Sequence, residues 1–545
     1  MSSPNPNDPL SQVLEYHERT KHRFERYAAG PDFLDWDQQP DPFRSYTDAP
    51  RIALSRDFDD LPDPDISALN ETRPVEPLSA WSTREVACLL RYGFGLSAWK
   101  SFGPDRWALR CNPSSGNLHP TECYLVSQGI ADLKDAIYHY NPYHHALELR
   151  AEFEPAAQTT GTPAELWLAF SSISWREAWK YGERAFRYVQ LDLGHALGAL
   201  AYSAAILGYR LEPLPVDRQT LARLIGLDRV SDFDSVEAEV PDLLLRLTPR
   251  EEPHRFALPS EEISLPSVEC WHGRPNRLSA HPRHHWPVID QLDQSLMAAP
   301  PPEPASPLKS DWPHQPAPPG VSTRKIILQR RSAQAFNGKV SLDQEDFFTL
   351  LDQTLPRITQ VPWSSWPQEP GVHLLIFVHR IRDLTPGLYL LCRKPSGLEK
   401  LKSALDPQFA WTPVASAPEH LPLFQLIGND VKRVARALSC HQDIAASSYF
   451  SLGMIAEFEP VLQQRGFQSY PELFWEAGLI GQVLYLQAEV LGMRGTGIGC
   501  FFDDGVHELL GLQDRQFQSL YHFTLGQAKQ DDRLETYPPY QHLQP

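Results

Sequence analysis

Four short segments carry residue types that could do chemistry together. Arg330-Arg331-Ser332 closes a predicted helix (RKIILQRRS). Two guanidinium forks and a hydroxyl form a donor set for a phosphate monoester, with positive charge, paired N–H groups and a short O–H. Taken alone, the triplet reads equally as a solvated basic helix end. Gly495-Thr496-Gly497-Ile498-Gly499 follows a long apolar helix. Glycines there let backbone amides approach a ligand with no Cβ in the way, and successive amides can form an anion-binding nest. The dinucleotide fingerprint needs a strand before it and a helix opening within the glycines, so this stretch is either a cofactor loop of another kind or a structural turn. Pro113-Ser114-Ser115-Gly116-Asn117 is a turn leading into a predicted strand, with hydroxyls and amides that suit the polar edge of a ring. Lys180-Tyr181 places an amine beside a phenol, with Arg176, Glu177, Glu183, Arg184 and Arg187 around them. Both groups ordinarily titrate near ~10, so burial or a charged neighbour must tune them for proton transfer at neutral pH. The structural alternative is a charged, partly exposed helix laced by i,i+4 pairs.

The elements that must position these segments come in two copies. LDLGHALGALAYSAAILGY is an apolar helix ending at Gly208, and EAGLIGQVLYLQAEVLGM is another ending at Gly492. Gly194 to Gly208 and Gly478 to Gly492 have the same spacing. TLARLIGLD matches VHELLGLQD further on, and LSAWSTREVACLLRYG resembles VSLDQEDFFTLLDQT upstream. Three matched stretches in one order predict a duplicated fold. The repeated helix is apolar almost all round and mixes small residues with Leu and Ile, so it belongs in a core or between packed units. If the copies pack on each other, the chain is its own pseudo-dimer. Strands are predicted at TECYLVS, GVHLLIFVHRI and TPGLYLL, without a β-α-β repeat, which points to an α+β class. We expect an N-terminal extension over 1–77, helical across about 8–28 and then irregular. A first half follows over 78–250, then a connector over 251–322 and a second half over 323–545. The proline tract from Pro300 to Pro319 should be an extended, stiff spacer.

Composition removes several classes. The formal charge of −18 opposes nucleic-acid binding, and it means an anionic cofactor must be gripped by local arginines. Seven scattered cysteines with no C-x-x-C pair predict neither a disulfide framework nor a zinc site. His281, His284 and His285, with His144 and His145, lack partners at metal-ligand spacing and are read as surface histidines, so no metal is expected. The opening residues have no apolar signal region, and the stretch Ala196 to Tyr209 is shorter than the roughly 20 residues that span a bilayer. A cytoplasmic protein with no membrane partner is the expectation.

At these residues the chain resembles the nitroreductase superfamily, specifically its SagB/ThcOx-type branch. YHERTKH, GPDFLDWDQQPDPFRSY, NPSSGNLHPTECYLV, KYGERAFRY and WHGRPNRLS resemble the branch's N-terminal and first-half patterns. RRSAQAF and GTGIGCFFDDGVHELLGL resemble the FMN-binding patterns of nitroreductase-like domains at large. The resemblance implies a mixed, mostly antiparallel sheet flanked by helices, with FMN at the interface of two such units. It implies that Arg330, Arg331 and Ser332 hold the FMN phosphate and ribityl chain, and that Gly495, Gly497, Ile498 and Gly499 border the cofactor. Pro113, Ser114, Ser115, Gly116 and Asn117 would reach the flavin from the other half. Lys180 and Tyr181 match a Lys-Tyr pair tied to proton handling in azoline dehydrogenases.

Each half lacks what the other carries. No Arg-Arg-Ser precedes STREVACLL, and YRLEPLPVD follows Gly208 where the glycines would be. The second half has no Pro-Ser-Ser-Gly-Asn; LPRITQVPWSSWPQEPGVHLLIF stands there instead. One composite FMN site per chain follows. The expected activity is an azoline-to-azole oxidation of a modified peptide or small heterocycle, with O2 or another acceptor taking the electrons. The alternatives are an NAD(P)H-dependent nitro, quinone or enone reductase and a flavin-free scaffold.

Overall fold

A computed structural model of the chain describes residues 8–70, 75–77, 80–153, 165–254, 267–281, 284–309, 312–313 and 320–543. Leu78 and Ser79, where the first half was expected to begin, lie outside the described residues. So do 310, 311 and 314–319 of the proline tract.

Two sheets of matching design form the frame. The first contains β1 (Thr121–Gln128), β2 (Ala136–Asn141), β3 (Ala146–Phe153), β4 (Glu165–Ser172), β5 (Tyr209–Leu214) and β6 (Val240–Pro249). The second contains β7 (Val372–Val378), β8 (Gly387–Leu391), β9 (Leu423–Ile427), β10 (Phe450–Glu457), β11 (Arg494–Ile498) and β12 (Phe517–Gly526). Spatial order is β3-β2-β1-β4-β6-β5 in one and β9-β8-β7-β10-β12-β11 in the other. The duplication is therefore one of topology as well as sequence, and the class is α+β. All pairs within these sheets are antiparallel; the parallel contacts are isolated bridges at Ser332–Gly495 and Leu342–Ile381. The central strands β1, β2 and β7 are buried almost throughout, as strands covered on both faces must be.

The helices repeat as well. Named in chain order they are α1 (Thr83–Gly93), α2 (Ser174–Tyr181), α3 (Ala185–Ile206), α4 (Thr323–Gln329), α5 (Gln344–Gln353) and α6 (Tyr470–Val490). The apolar α3 and α6 pack on each other as the pseudo-dimer core. A Cβ on Gly194 would lie 2.3 Å from the Trp475 carbonyl oxygen, and one on Gly478 would lie 2.3 Å from that of Leu191. The reciprocity marks a two-fold relation, and only glycine permits so close an approach.

Segments outside the halves tie them together. The helix Pro9–Arg19 is shorter than expected, ending where Thr20 turns its hydroxyl back onto the Tyr16 carbonyl. It bridges the halves, with the Tyr16 hydroxyl donating to the Glu183 carbonyl and His17 Nδ1 bonded to the Tyr470 hydroxyl. In the connector, the strand Val268–Trp271 pairs with β3, so WHGRPNRLS begins in sheet rather than in unpatterned chain. Within the proline tract, the Glu303 amide bonds the Arg465 carbonyl, and Pro307 bridges Gln368, so its described part lies along the second half. Near the C-terminus, Glu535–Tyr537 adds a strand to Leu96–Phe102 of the first half.

Candidate active site

The segments singled out by sequence converge between the halves. A cavity of about 530 Å³ is lined from the first half by Pro113 to Asn117 and Tyr181, and from the second by Arg330, Arg331, Ser332 and Gly497 to Gly499. Lys180 is not among its lining residues, but a Cβ on Gly116 would lie 2.8 Å from the Tyr181 hydroxyl and 3.1 Å from Lys180 Nζ. The Lys-Tyr pair therefore sits directly over the serine-glycine turn. Gly116 has φ +59, a conformation that favours glycine there.

The glycine stretch is a strand, not a loop. Arg494–Ile498 forms the edge strand β11 against β12, and Ser332 bridges it in parallel at Gly495. Its glycines serve close approach. A Cβ on Gly497 would fall 1.7 Å from the Tyr521 hydroxyl, and one on Gly499 would fall 1.9 Å from the Tyr188 ring. The Gly497 amide and the Ser332 hydroxyl both bond the Tyr485 hydroxyl, at 3.1 and 2.8 Å, fixing β11 against α6.

The two arginines divide their tasks. Arg330 is buried and its guanidinium donates to the Arg110 and Cys111 carbonyls, so it clamps the first-half chain just ahead of the serine turn. Arg331 lies in the cavity wall, held by Ser97 and by the Leu328 and Arg330 carbonyls. Lys100 and Arg494 also line that end. Burial and the charge of Arg330 bring Arg331 down to about 10, and burial with Arg331 and Arg494 lowers Lys100. Like charges crowded this way in a chain of net charge −18 are a ready-made anion site. Sequence reading missed Lys100 and Arg494, which come from a distant hairpin and from the glycine stretch.

The residue that organises the turn was also missed. Asp192, on α3, accepts the Ser114 hydroxyl at 2.7 Å, the Ser115 amide at 3.0 Å and the Ser115 hydroxyl at 2.9 Å. Burial raises its carboxyl to about 7 despite these bonds. Glu177, one turn before Tyr181, is raised well above the carboxylate range by burial and by Asp192 beside it. Burial also keeps the Tyr181 phenol well above its ordinary value, stacked on Tyr188 at 4.3 Å. His195 is lowered to about 3 by burial, and as a neutral ring it bonds the Tyr521 hydroxyl.

Two expectations need correction. The helix carrying Lys180 is not a charged surface element: Arg176, Glu177, Glu183, Arg184 and Arg187 are all buried. The N-terminal segment and Asp503 cover it, and Arg184 and Arg187 each reach Asp503 at 2.8 Å. His145 is likewise buried rather than on the surface, bonded to the Tyr140 hydroxyl and the Ser55 carbonyl. Outside the cavity, Glu152, Cys270 and His272 bring ligand atoms within 4.8 Å of one another, a grouping not read from the sequence. No helix among the described residues is long and apolar enough to cross a membrane.

Known proteins were compared with this geometry in hand. A crystal structure from Anabaena variabilis, of a protein taken to be a nitroreductase, superposes with TM-score 0.69 at 24% identity. The match covers 95% of this chain and 99% of that one, so both halves and their connection are shared. The chain has a nitroreductase-like fold. Among curated relatives, MJ1384 of Methanocaldococcus jannaschii, named as a nitroreductase, is 26% identical over 138 residues, or 24% of this chain. The trifolitoxin-processing protein TfxB of Rhizobium leguminosarum bv. trifolii is 32% identical over 130 residues, or 21% of this chain. These alignments span 66% and 35% of the relatives' own lengths. No protein-family model matches.

Proposed function

We propose that the chain is an FMN-dependent oxidoreductase of the SagB/ThcOx type, oxidising an azoline-like ring in a modified peptide or small heterocycle at one composite site. The observation that carries this reading is that Arg331 and Ser115, from opposite halves, line the same cavity. The residues fit the cofactor. Lys100, Arg331 and Arg494 form a cationic end with Glu489 as a flanking carboxylate, a donor set suited to a phosphate monoester. Gly497 and Gly499 line the cavity while letting Tyr521 and Tyr188 pack against their backbone. FMN bound there supplies a two-electron, hydride-accepting ring.

The chain's own residues bind, orient and move a proton. Lys100, Arg331 and Arg494 would hold the phosphate end, and Ser332, fixed by Tyr485, would meet the ribityl chain. Asp192 spends the donors of Ser114 and Ser115, so their lone pairs and the Gly116 backbone present a rigid polar edge to the cavity. Lys180 and Tyr181 handle the substrate proton. Burial keeps the phenol protonated at neutral pH, which makes Tyr181 the proton donor and relay at the cavity wall, with the Lys180 amine beside it. The relation to a trifolitoxin-processing protein agrees with a modified-peptide substrate.

The test is to incubate the FMN-loaded protein in air with a thiazoline- or oxazoline-containing peptide and no nicotinamide. Mass spectrometry should record loss of two hydrogens per ring. Rapid NAD(P)H oxidation with no azoline turnover would replace this reading with a reductase.

A further inference from the structure

Cys440 and Cys500 come from separate elements, and their sulfurs stand 2.7 Å apart. Cys500 follows Gly499 in the cavity wall, and Gln442, two residues after Cys440, also lines the cavity while bonding the Cys500 carbonyl. Cys440 and His441 have φ +50 and +60, a left-handed turn that non-glycine residues adopt at a cost. Both thiols are partly exposed, unlike the buried Cys88, Cys111, Cys123 and Cys392.

We infer that Cys440 and Cys500 form a redox-active dithiol at the edge of the cavity, which exchanges with low-molecular-weight disulfides and closes to an intramolecular disulfide. The surroundings divide the labour. The hydrogen bond from Cys440, with His22 and Arg184 nearby, brings Cys500 down to about 5 against the opposing effect of burial, and the same bond raises Cys440. Tyr27, Tyr181 and Tyr188 are further titratable groups that face the pair. Cys500 is thus the thiolate that attacks and Cys440 the thiol that resolves. In the first step the Cys500 thiolate bonds one sulfur of R–S–S–R and expels RS⁻. In the second, Cys440 gives its proton to the departing thiolate and its sulfur bonds Cys500, releasing RSH. The chain loses two electrons, and the external disulfide gains them. Closure ties the Cys440 turn covalently to the end of β11 and stiffens that wall of the cavity.

The test uses the full chain without added cofactor, so its outcome does not depend on the flavin reading. The folded protein is equilibrated in glutathione buffers of graded ratio, trapped with acid, alkylated and digested without reductant. The expected result is one two-electron transition yielding a Cys440–Cys500 linked peptide, with Cys88, Cys111, Cys123 and Cys392 still alkylatable after unfolding. In a second readout, iodoacetamide should modify Cys500 at pH 6 about ten-fold more slowly in Cys440→Ala than in the unaltered chain. Two free thiols at every glutathione ratio, or linkage to other cysteines, would overturn the inference. Unchanged Cys500 reactivity in Cys440→Ala would overturn the assigned roles.

Discussion

Strand β11 offers Gly497 toward the cavity, whereas β5, its counterpart after the other long helix, carries Pro213 at the matching place. The contrast continues around both positions. Gly492 is open, while Gly208 is covered by Glu76 and Pro77. Asp192 braces the serine turn, but Glu476, at the matching place two residues before Gly478, accepts the Gly371 amide and pairs with Arg393. Before β7, where the serine turn would stand, Trp363 is wholly buried under Arg393, and the Ser365 hydroxyl accepts the Leu211 amide. One interface region is hollow, polar and cationic; its twin is packed with tryptophan and leucine. Duplication within one chain frees each copy from supplying both sides of a site. The second region could then exchange binding for core.

Substitutions can break that contrast from either side. Trp363→Ala should have the largest effect, about 3–5 kcal/mol of stability by chemical denaturation, since it empties a packed core. Flavin stoichiometry should not change; a second equivalent bound by this variant would mean the twin region is still a site. Arg331→Ala should weaken FMN binding by about 1.5–3 kcal/mol, some ten- to hundred-fold in a fluorescence titration, by removing a charge-assisted phosphate contact. Wild-type affinity in this variant would move the phosphate elsewhere. Gly497→Ala pushes β11 partway toward the β5 state, because its methyl must displace Tyr521; a loss of about 1–3 kcal/mol in FMN affinity is expected.

The last effect is spread over pH and is small per unit. The folded Asp192 carboxyl, raised to about 7, binds its proton more tightly than the unfolded one, whose value lies near ~4. Its contribution to stability is therefore greatest at low pH and falls as pH rises from about 4 to about 7, by roughly 1 kcal/mol per pH unit. Asp192→Asn should remove that slope from apoprotein unfolding curves, and equal slopes in both proteins would contradict the assignment.

Much of this frame was legible in the chain. The equal spacing of Gly194–Gly208 and Gly478–Gly492 announced the repeat because close helix packing leaves no freedom at those positions. Complementary motifs pointed to one composite site because Arg331 and Ser115 have no counterparts in the opposite half. Asp192 escaped notice because one carboxylate in an apolar helix carries no local signal; only the fold brings the serine turn onto it. Lys100 and Arg494 are hidden for the same reason, contributed by elements that meet only in three dimensions. The helix around Lys180 looked exposed because its charges were weighed without Asp503 and the N-terminal segment, which bury and neutralise them. The glycine stretch was taken for a loop because glycine is depleted in strands, and its close approach to Tyr521 and Tyr188 becomes visible only once β11 is paired.

The central claim is that one region binds and its twin does not. FMN released from the purified, reconstituted protein and quantified against chain concentration tests this most directly. One equivalent per chain is the expected result. Two equivalents would contradict the filled twin, and none after reconstitution would contradict the flavin site itself.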